Sequence, residues 1–158
     1  NNNYSFPSHL QPNTYISIHL RRGDYLSNKQ ILNHYFSKFS PVEFILLSLK
    51  LIPNQFSNYP IYFISDDLNW RNKMIEILSN RISNKFILMD KTDAQTEWSI
   101  LRRATINICS NSTFSYTAAL LNPENINQKL RCIVPQWINQ NETAFEKGWL
   151  TPNGFIDI

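Results

Sequence analysis

The sequence predicts an α/β domain built around a parallel β-sheet with helices packed on its faces. Short apolar segments alternate about four times with longer segments of helical periodicity. Polar and apolar residues scarcely alternate within the apolar segments, which is typical of strands that are covered on both faces. The chain has 158 residues, 42% of them hydrophobic and 17% charged, which suffices for one domain with a real core.

The first half of the chain contains two predicted strands and two predicted helices. The first strand is Tyr15–Leu20, in which Ile16, Ile18 and Leu20 share one face and Ser17, His19 and Arg21 the other. The helix Pro41–Leu51 follows, with apolar residues at helical spacing, Ser40 as its cap and Pro41 in its first turn. The second strand is Ile61–Ser65, and the helix Asn69–Asn80 repeats the apolar spacing through Met74, Ile75 and Leu78.

The second half continues the alternation. Its predicted elements are the strand Lys85–Met89, the helix Gln95–Ala104, the strand Thr105–Ser110, the helix Thr113–Leu121 and the strand Leu130–Pro135. The segment from Gln136 to Ile158 carries Trp137, Trp149 and Phe155, so we expect a tail folded back on a single domain spanning residues 1–158. Parallel sheets bind ligands at the carboxyl ends of their strands, and the polar clusters of this chain lie at those ends.

Composition narrows the class of ligand and the compartment. The net charge of +3 is mildly basic without a dense run of Lys and Arg, which favours a discrete anionic ligand over nucleic acid. Cys109 and Cys132 lie within predicted strands, so we expect buried free thiols rather than a disulfide or a metal site. The first residues show no signal peptide. We therefore expect a cytoplasmic protein, with association at the inner face of the membrane left open, and the abundance of Asn and Ile suggests a bacterial source.

The first polar cluster is His19-Leu-Arg21-Arg22-Gly-Asp24, at the end of the first strand. A guanidinium fork matches the geometry of a phosphate group, and Asp24 could hold one arginine in place while the other contacts the ligand. One alternative is a surface network of ion pairs. Another is an Arg-Gly-Asp adhesion tripeptide, although no extracellular context supports it.

The second cluster, Ser65-Asp66-Asp67, follows the second strand. Adjacent carboxylates could bind a metal, but sequence neighbours point apart and no third ligand is evident. Either aspartate could accept hydrogen bonds from the edge of a guanine base, or cap the following helix. Both roles can hold, one for each aspartate.

The third cluster, Ser110-Asn-Ser112-Thr113-Phe-Ser115, joins a strand to a helix. Small hydroxyls and backbone N–H groups at a helix amino terminus form an anion site. Simple capping by Ser112 or Thr113 is the alternative. Beside a pair of arginines from a neighbouring strand end, a pyrophosphate site becomes the better interpretation.

These residues together resemble glycosyltransferase family 11, the α-1,2-fucosyltransferases. The first cluster resembles that family's HxRRxD motif, "YFISDDLNW" its second block, and "ICSNSTFSYTAALLN" its third. The three blocks occur in the family's order and cover the chain from about Tyr15 to Asn122, and "VPQWIN" and "GFIDI" are similar to its C-terminal end.

The resemblance implies the Rossmann-like, donor-binding C-terminal half of a GT-B glycosyltransferase. It implies inverting transfer of L-fucose from GDP-β-L-fucose to the 2-hydroxyl of a galactose-containing glycan, without a metal ion or other cofactor. Without a metal, paired guanidinium groups must neutralise the departing diphosphate. Arg21 is the first choice for this role and Arg22 the second. His19 and Asp24 would shape the pocket, Asp66 or Asp67 would recognise guanine, and Ser112, Thr113 and Ser115 would add donors to the phosphates.

The sequence departs from the family pattern in two ways. Ser115-Tyr116-Thr117-Ala118 stands where the family usually has Ser-Trp-Trp-Gly, and the Gly-rich N-terminal half is missing from this chain, which has three glycines. Inverting transfer also needs a general base, for which Asp24 is the candidate. The alternatives are a GDP-sugar-binding module without catalysis and a glycosyltransferase that uses another GDP-sugar. The sequence does not indicate an oligomeric state.

Overall fold

The described residues form one six-stranded parallel sheet with helices on both faces. The computed structural model describes residues 6–23, 39–90, 92–110, 112–123, 129–135 and 154–158. Within these ranges the elements in chain order are β1 (Ile16–His19), α1 (Pro41–Leu51), a short 3₁₀ helix (Asn54–Phe56), β2 (Ile61–Ile64), α2 (Leu68–Ser79), β3 (Phe86–Ile87), α3 (Ala94–Arg102), β4 (Ile106–Cys109), α4 (Thr113–Leu120), β5 (Cys132–Val134) and β6 (Phe155–Asp157). The predicted α/β class is confirmed.

The strand order is β3-β2-β1-β4-β5-β6, and every neighbouring pair is parallel. This is the order of a Rossmann-type, doubly wound sheet. Successive strands run outward from β1 to β3, and the chain then returns to place β4 on the other side of β1. The crevice where the order reverses therefore lies between the carboxyl ends of β1 and β4, which is where such sheets bind their ligands.

Two apolar layers hold the helices to the sheet. On one face, α1 and α2 contribute Phe44, Ile45, Met74 and Leu78 to a cluster with β-strand residues that include Ile16, Ile18 and Ile108. On the other face, α3 and α4 contribute Ile100, Leu101 and Ala118 to a cluster with Tyr15, Tyr62 and Ile64. The two faces predicted for the first strand are therefore confirmed, and His19 lies on the side of α3 and α4.

The helix limits follow from local capping chemistry. α1 begins with a complete capping box, in which the Glu43 amide donates to the Ser40 hydroxyl and the Glu43 carboxylate accepts from the Ser40 amide. Its limits are those predicted from the sequence. The amide of Trp70 donates to the Asp67 carboxylate at the start of α2, and that of Thr96 to the Asp93 carboxylate at the start of α3. Asp67, rather than Asp66, is therefore the cap of α2.

The strands are shorter than predicted, and one lies where no strand was predicted. Only Phe86–Ile87 of the predicted strand Lys85–Met89 pairs with β2. The last residues of the predicted tail form β6, which pairs in parallel with β5 and buries Phe155, while residues 136–153, with Trp137 and Trp149, lie outside the described residues. Cys109 and Cys132 are buried free thiols, as predicted, with their Sγ atoms 3.5 Å apart.

No helix among the described residues is long and apolar enough to cross a membrane.

Candidate functional site

The carboxyl ends of β1 and β4 are joined directly at the crevice where the strand order reverses. The Ser110 amide donates to the His19 carbonyl oxygen over 2.8 Å, and the Arg21 amide donates to the Ser110 hydroxyl over 3.0 Å. These two hydrogen bonds place the start of the arginine pair beside the turn that leads into α4. The first and third polar clusters of the sequence therefore lie side by side, as the pyrophosphate interpretation requires.

The second cluster, at the end of β2, contacts the backbone of Arg22 and Gly23. One carboxylate oxygen of Asp66 accepts from the Arg22 amide at 2.8 Å, and the other accepts from the Gly23 amide at 2.9 Å. A charged acceptor with two amide donors is a strong local clamp. It also explains the glycine, because a Cβ atom at Gly23 would lie 2.7 Å from the Asp66 Oδ2 atom.

The two arginines have different surroundings. The Arg22 Nη1 atom lies 2.9 Å from the Asp67 Oδ2 atom, and its guanidinium carbon lies 4.9 Å from the centre of the Trp70 ring. The Arg21 Nε atom is 3.8 Å from the Asp66 Oδ2 atom, and 41% of the Arg21 side chain is exposed, against 31% for Arg22. Arg22 is therefore held against α2, whereas Arg21 is the more accessible guanidinium at the crevice.

His19 is a buried, neutral side chain beneath these charges. It is 5% exposed, its ring lies 5.5 Å from that of Phe114 in α4, and its Nδ1 atom has no hydrogen-bond partner among the described residues. Burial lowers the His19 pKa from 6.5 to about 4, opposed by the negative charge of Asp66 and assisted by the positive charge of Arg21. A neutral imidazole with an unpartnered nitrogen can donate or accept one hydrogen bond.

The hydroxyl residues of the third cluster separate into two groups. Ser112 precedes α4 without capping it through its side chain, and Thr113 is exposed at the first position of the helix. Both lie at the amino terminus of α4, where backbone N–H groups attract anions. Ser115 is fully buried and its hydroxyl donates to the Ser112 carbonyl oxygen over 3.3 Å, so a direct contact from Ser115 to a phosphate is not available in this structure.

The remaining sequence predictions concern Asp24 and a metal site. Asp24, the candidate base and second pocket residue, lies outside the described residues. Among the described residues, Asp67 from the neighbouring strand end pairs with Arg22. Within the described part of the chain, no group of three or more His, Cys, Asp or Glu residues is arranged to hold a metal ion.

The structure also contains a small cleft that no pattern in the sequence predicts. It has a volume of about 10 Å³, room for about one water molecule. It lies between α2, α3 and the ends of β2 and β3, and its polar lining is Tyr62, Arg71, Asp90, Thr92 and Glu97. The Tyr62 hydroxyl is buried without a hydrogen-bond partner among the described residues. Asp90 directly follows a predicted strand and could have been found by that rule, whereas no local pattern marks Glu97.

Comparisons with known proteins identify the family of this chain. The model of glycosyl transferase family 11 matches residues 3–153. An alpha-1,2-colitosyltransferase from Escherichia coli is 27% identical over 106 residues, which cover 67% of this chain and 36% of the relative. The chain therefore spans about a third of the length of that relative in the alignment. Because the family model matches nearly the whole sequence, the chain belongs to glycosyl transferase family 11.

Proposed function

We propose that this chain binds GDP-β-L-fucose and transfers L-fucose, with inversion, to the 2-hydroxyl of a galactose-containing glycan, without a metal ion. The observation that carries the proposal is the hydrogen bond from the Arg21 amide to the Ser110 hydroxyl, which joins the ends of β1 and β4 at the crevice where the strand order reverses. Family membership gives the reaction class. The α-1,2 linkage in the name of the relative supports attack by a 2-hydroxyl.

The diphosphate would lie between the Arg21 guanidinium and the amino terminus of α4. In the reaction, the bond between the anomeric carbon and the diphosphate oxygen breaks, and the acceptor oxygen forms the new bond on the opposite face. The acceptor hydroxyl gives its proton to a base, for which Asp24 remains the candidate. GDP leaves with additional negative charge, so contacts from Arg21, Ser112 and Thr113 strengthen toward the transition state.

The base of the nucleotide would be recognised by a carboxylate. Asp66 and Asp67 remain candidates, although each already accepts hydrogen bonds from the protein. A carboxylate suits this role because it can accept two N–H groups from guanine, which adenine does not offer. The unpartnered His19 nitrogen adds a neutral contact near the same edge of the sheet.

Comparison of GDP with ADP binding separates these carboxylates. A variant that removes the guanine contact loses the preference for GDP while ADP binding is unchanged. Asp66→Asn, which weakens the clamp on the Arg22 and Gly23 amides, is expected to reduce binding of both nucleotides. If Asp67→Asn retains full preference for GDP and Asp66→Asn abolishes it, Asp66 is the residue that recognises guanine.

A second candidate function is transfer of another deoxysugar from a GDP-sugar, and the name of the colitosyltransferase relative favours it. The two are distinguished by turnover of GDP-fucose and GDP-colitose with the same galactoside. A module that binds the donor without catalysis is the remaining alternative. It would bind GDP in calorimetry and turn over neither donor.

The decisive experiment measures transfer from GDP-fucose to a galactoside for the wild type and for Arg21→Ala. We expect kcat/KM to fall about a hundredfold or more, the usual effect of removing a group that stabilises developing negative charge. Arg81→Ala is the matched control, because it removes the same charge from an exposed site just beyond the end of α2. Equal loss in both variants, or none in Arg21→Ala, would remove Arg21 from the mechanism.

A further inference from the structure

The indole of Trp70 and the carboxylate of Asp67 hold Arg22 from two sides. The guanidinium carbon of Arg22 lies 4.9 Å from the centre of the Trp70 ring, within the range of a cation–π interaction. Its Nη1 atom lies 2.9 Å from the Asp67 Oδ2 atom. The other oxygen of Asp67 accepts from the Trp70 amide, so carboxylate and ring are themselves joined in the first turn of α2.

The Trp70 ring cannot follow Arg22 if that side chain moves. It packs against the core under α1 and α2 and lies edge-on to Phe63 of β2, with the ring centres 6.2 Å apart. Packing of this kind fixes an aromatic side chain in one orientation. Trp70 therefore presents a rigid face on which the guanidinium of Arg22 rests.

The backbone beside Arg22 is held as firmly as its side chain. Asp66 accepts from the Arg22 and Gly23 amides, and Ser110 accepts from the Arg21 amide. The two neighbouring arginines therefore share one constrained loop, in which the Arg22 side chain is drawn toward α2. Arg21, the more exposed of the two, extends from the same loop.

We propose that Trp70 is a positioning residue of the donor site, which acts through Arg22 to hold the loop in the conformation that presents Arg21 to a diphosphate. The inference rests on the proposed donor site. Trp70 touches neither the diphosphate nor the sugar, and its contribution depends on the aromatic face rather than on the indole N–H. A rigid, pre-ordered loop binds its ligand more tightly because less freedom is lost on binding.

The test is the dissociation constant for GDP, measured by calorimetry on the complete chain, with folding checked by urea unfolding. Trp70→Phe keeps an aromatic face and is expected to bind GDP within about twofold of the wild type, whereas Trp70→Leu weakens binding about fivefold. If Trp70→Leu does not fold, Trp70→Met, which fills more of the space, takes its place. Arg22→Gln is expected to weaken binding as much as Trp70→Leu, and combining the two adds nothing further.

Trp98 provides the matched control. It is also half-buried, on α3, and it stacks on Arg102 with the guanidinium carbon 5.5 Å from its ring centre. Trp98→Leu removes a comparable contact and a comparable amount of packing, and it should leave GDP binding unchanged.

The outcomes separate this inference from the function on which it rests. A wild type that does not bind GDP refutes the proposed donor site itself. GDP binding by the wild type that is unchanged in Trp70→Leu overturns the positioning role alone. The positioning role is also overturned if Trp70→Leu still weakens GDP binding in the Arg22→Gln background, because Trp70 would then not act through Arg22.

Discussion

The burial of His19 predicts a specific loss of stability in mild acid. In the folded protein the pKa of His19 is about 4, against 6.5 for an ordinary histidine, chiefly because burial penalises the charged form. Between these two values the unfolded chain binds more protons than the folded one. The contribution of His19 to the free energy of unfolding is therefore fully present above pH 6.5 and is lost as the pH falls toward 4.

The magnitude follows from the two pKa values. Linkage between protonation and folding gives a loss of about 2 kcal/mol at pH 5 and about 3 kcal/mol at pH 4, relative to neutral pH. The measurement is urea unfolding of the wild type and of His19→Gln at intervals between pH 7 and pH 4. Other groups titrate in this range, so the quantity that isolates His19 is the difference between the two proteins.

The free energy of unfolding of the wild type, relative to that of His19→Gln, should fall by about 3 kcal/mol from pH 7 to pH 4, because the variant has no imidazole to protonate. The variant starts with its own packing cost at neutral pH, which does not change with pH. Parallel profiles for the wild type and His19→Gln would refute the buried, neutral state of His19.

Three further predictions concern the loop, a helix cap and the metal. Gly23→Ala places a Cβ atom against the Asp66 carboxylate, so we expect weaker GDP binding in calorimetry and a loss of about 1–2 kcal/mol in urea unfolding from the broken amide contact. Ser40→Ala removes the capping box of α1 and should cost about 1 kcal/mol of stability without changing GDP binding. A fall in GDP binding would contradict the assignment of Ser40 as a helix cap alone. EDTA should leave transfer from GDP-fucose unchanged, and a loss restored by added Mg²⁺ would show that the reaction needs a metal.

The helices of this chain could be predicted because their determinants are local. Apolar spacing and a side-chain cap within a few positions define α1, α2 and α3, and Ser40 with Pro41 predicted the start of α1 where the structure has it. Strand limits depend on hydrogen bonds to other strands, which distant segments supply. The predicted strand Lys85–Met89 is therefore longer than its paired part, and β6 had too few residues to show a pattern.

The candidate site was likewise only partly predictable from the sequence. The clusters at the strand ends were visible because a parallel sheet brings the ends of its strands to one edge. The side-chain contacts that these clusters make could not be predicted from the sequence. Asp24 lies two positions after Arg22 in the sequence and outside the described residues, whereas Asp67, at the end of the neighbouring strand, pairs with Arg22 in the structure. Ser115 shared a motif with Ser112, but the helical turn directs it into the core.

The amino-acid sequence by itself determined the α/β class, the helices, the chemical character of three strand ends and the resemblance that identified the family. These properties follow from the spacing of residues along the chain, which is the same before and after folding. Only the tertiary structure decided that Arg22 rests between Asp67 and Trp70, that Arg21 remains the accessible arginine, and that His19 is buried. Each depends on the order and register of β1, β2 and β4, which bring residues more than forty positions apart within hydrogen-bonding distance.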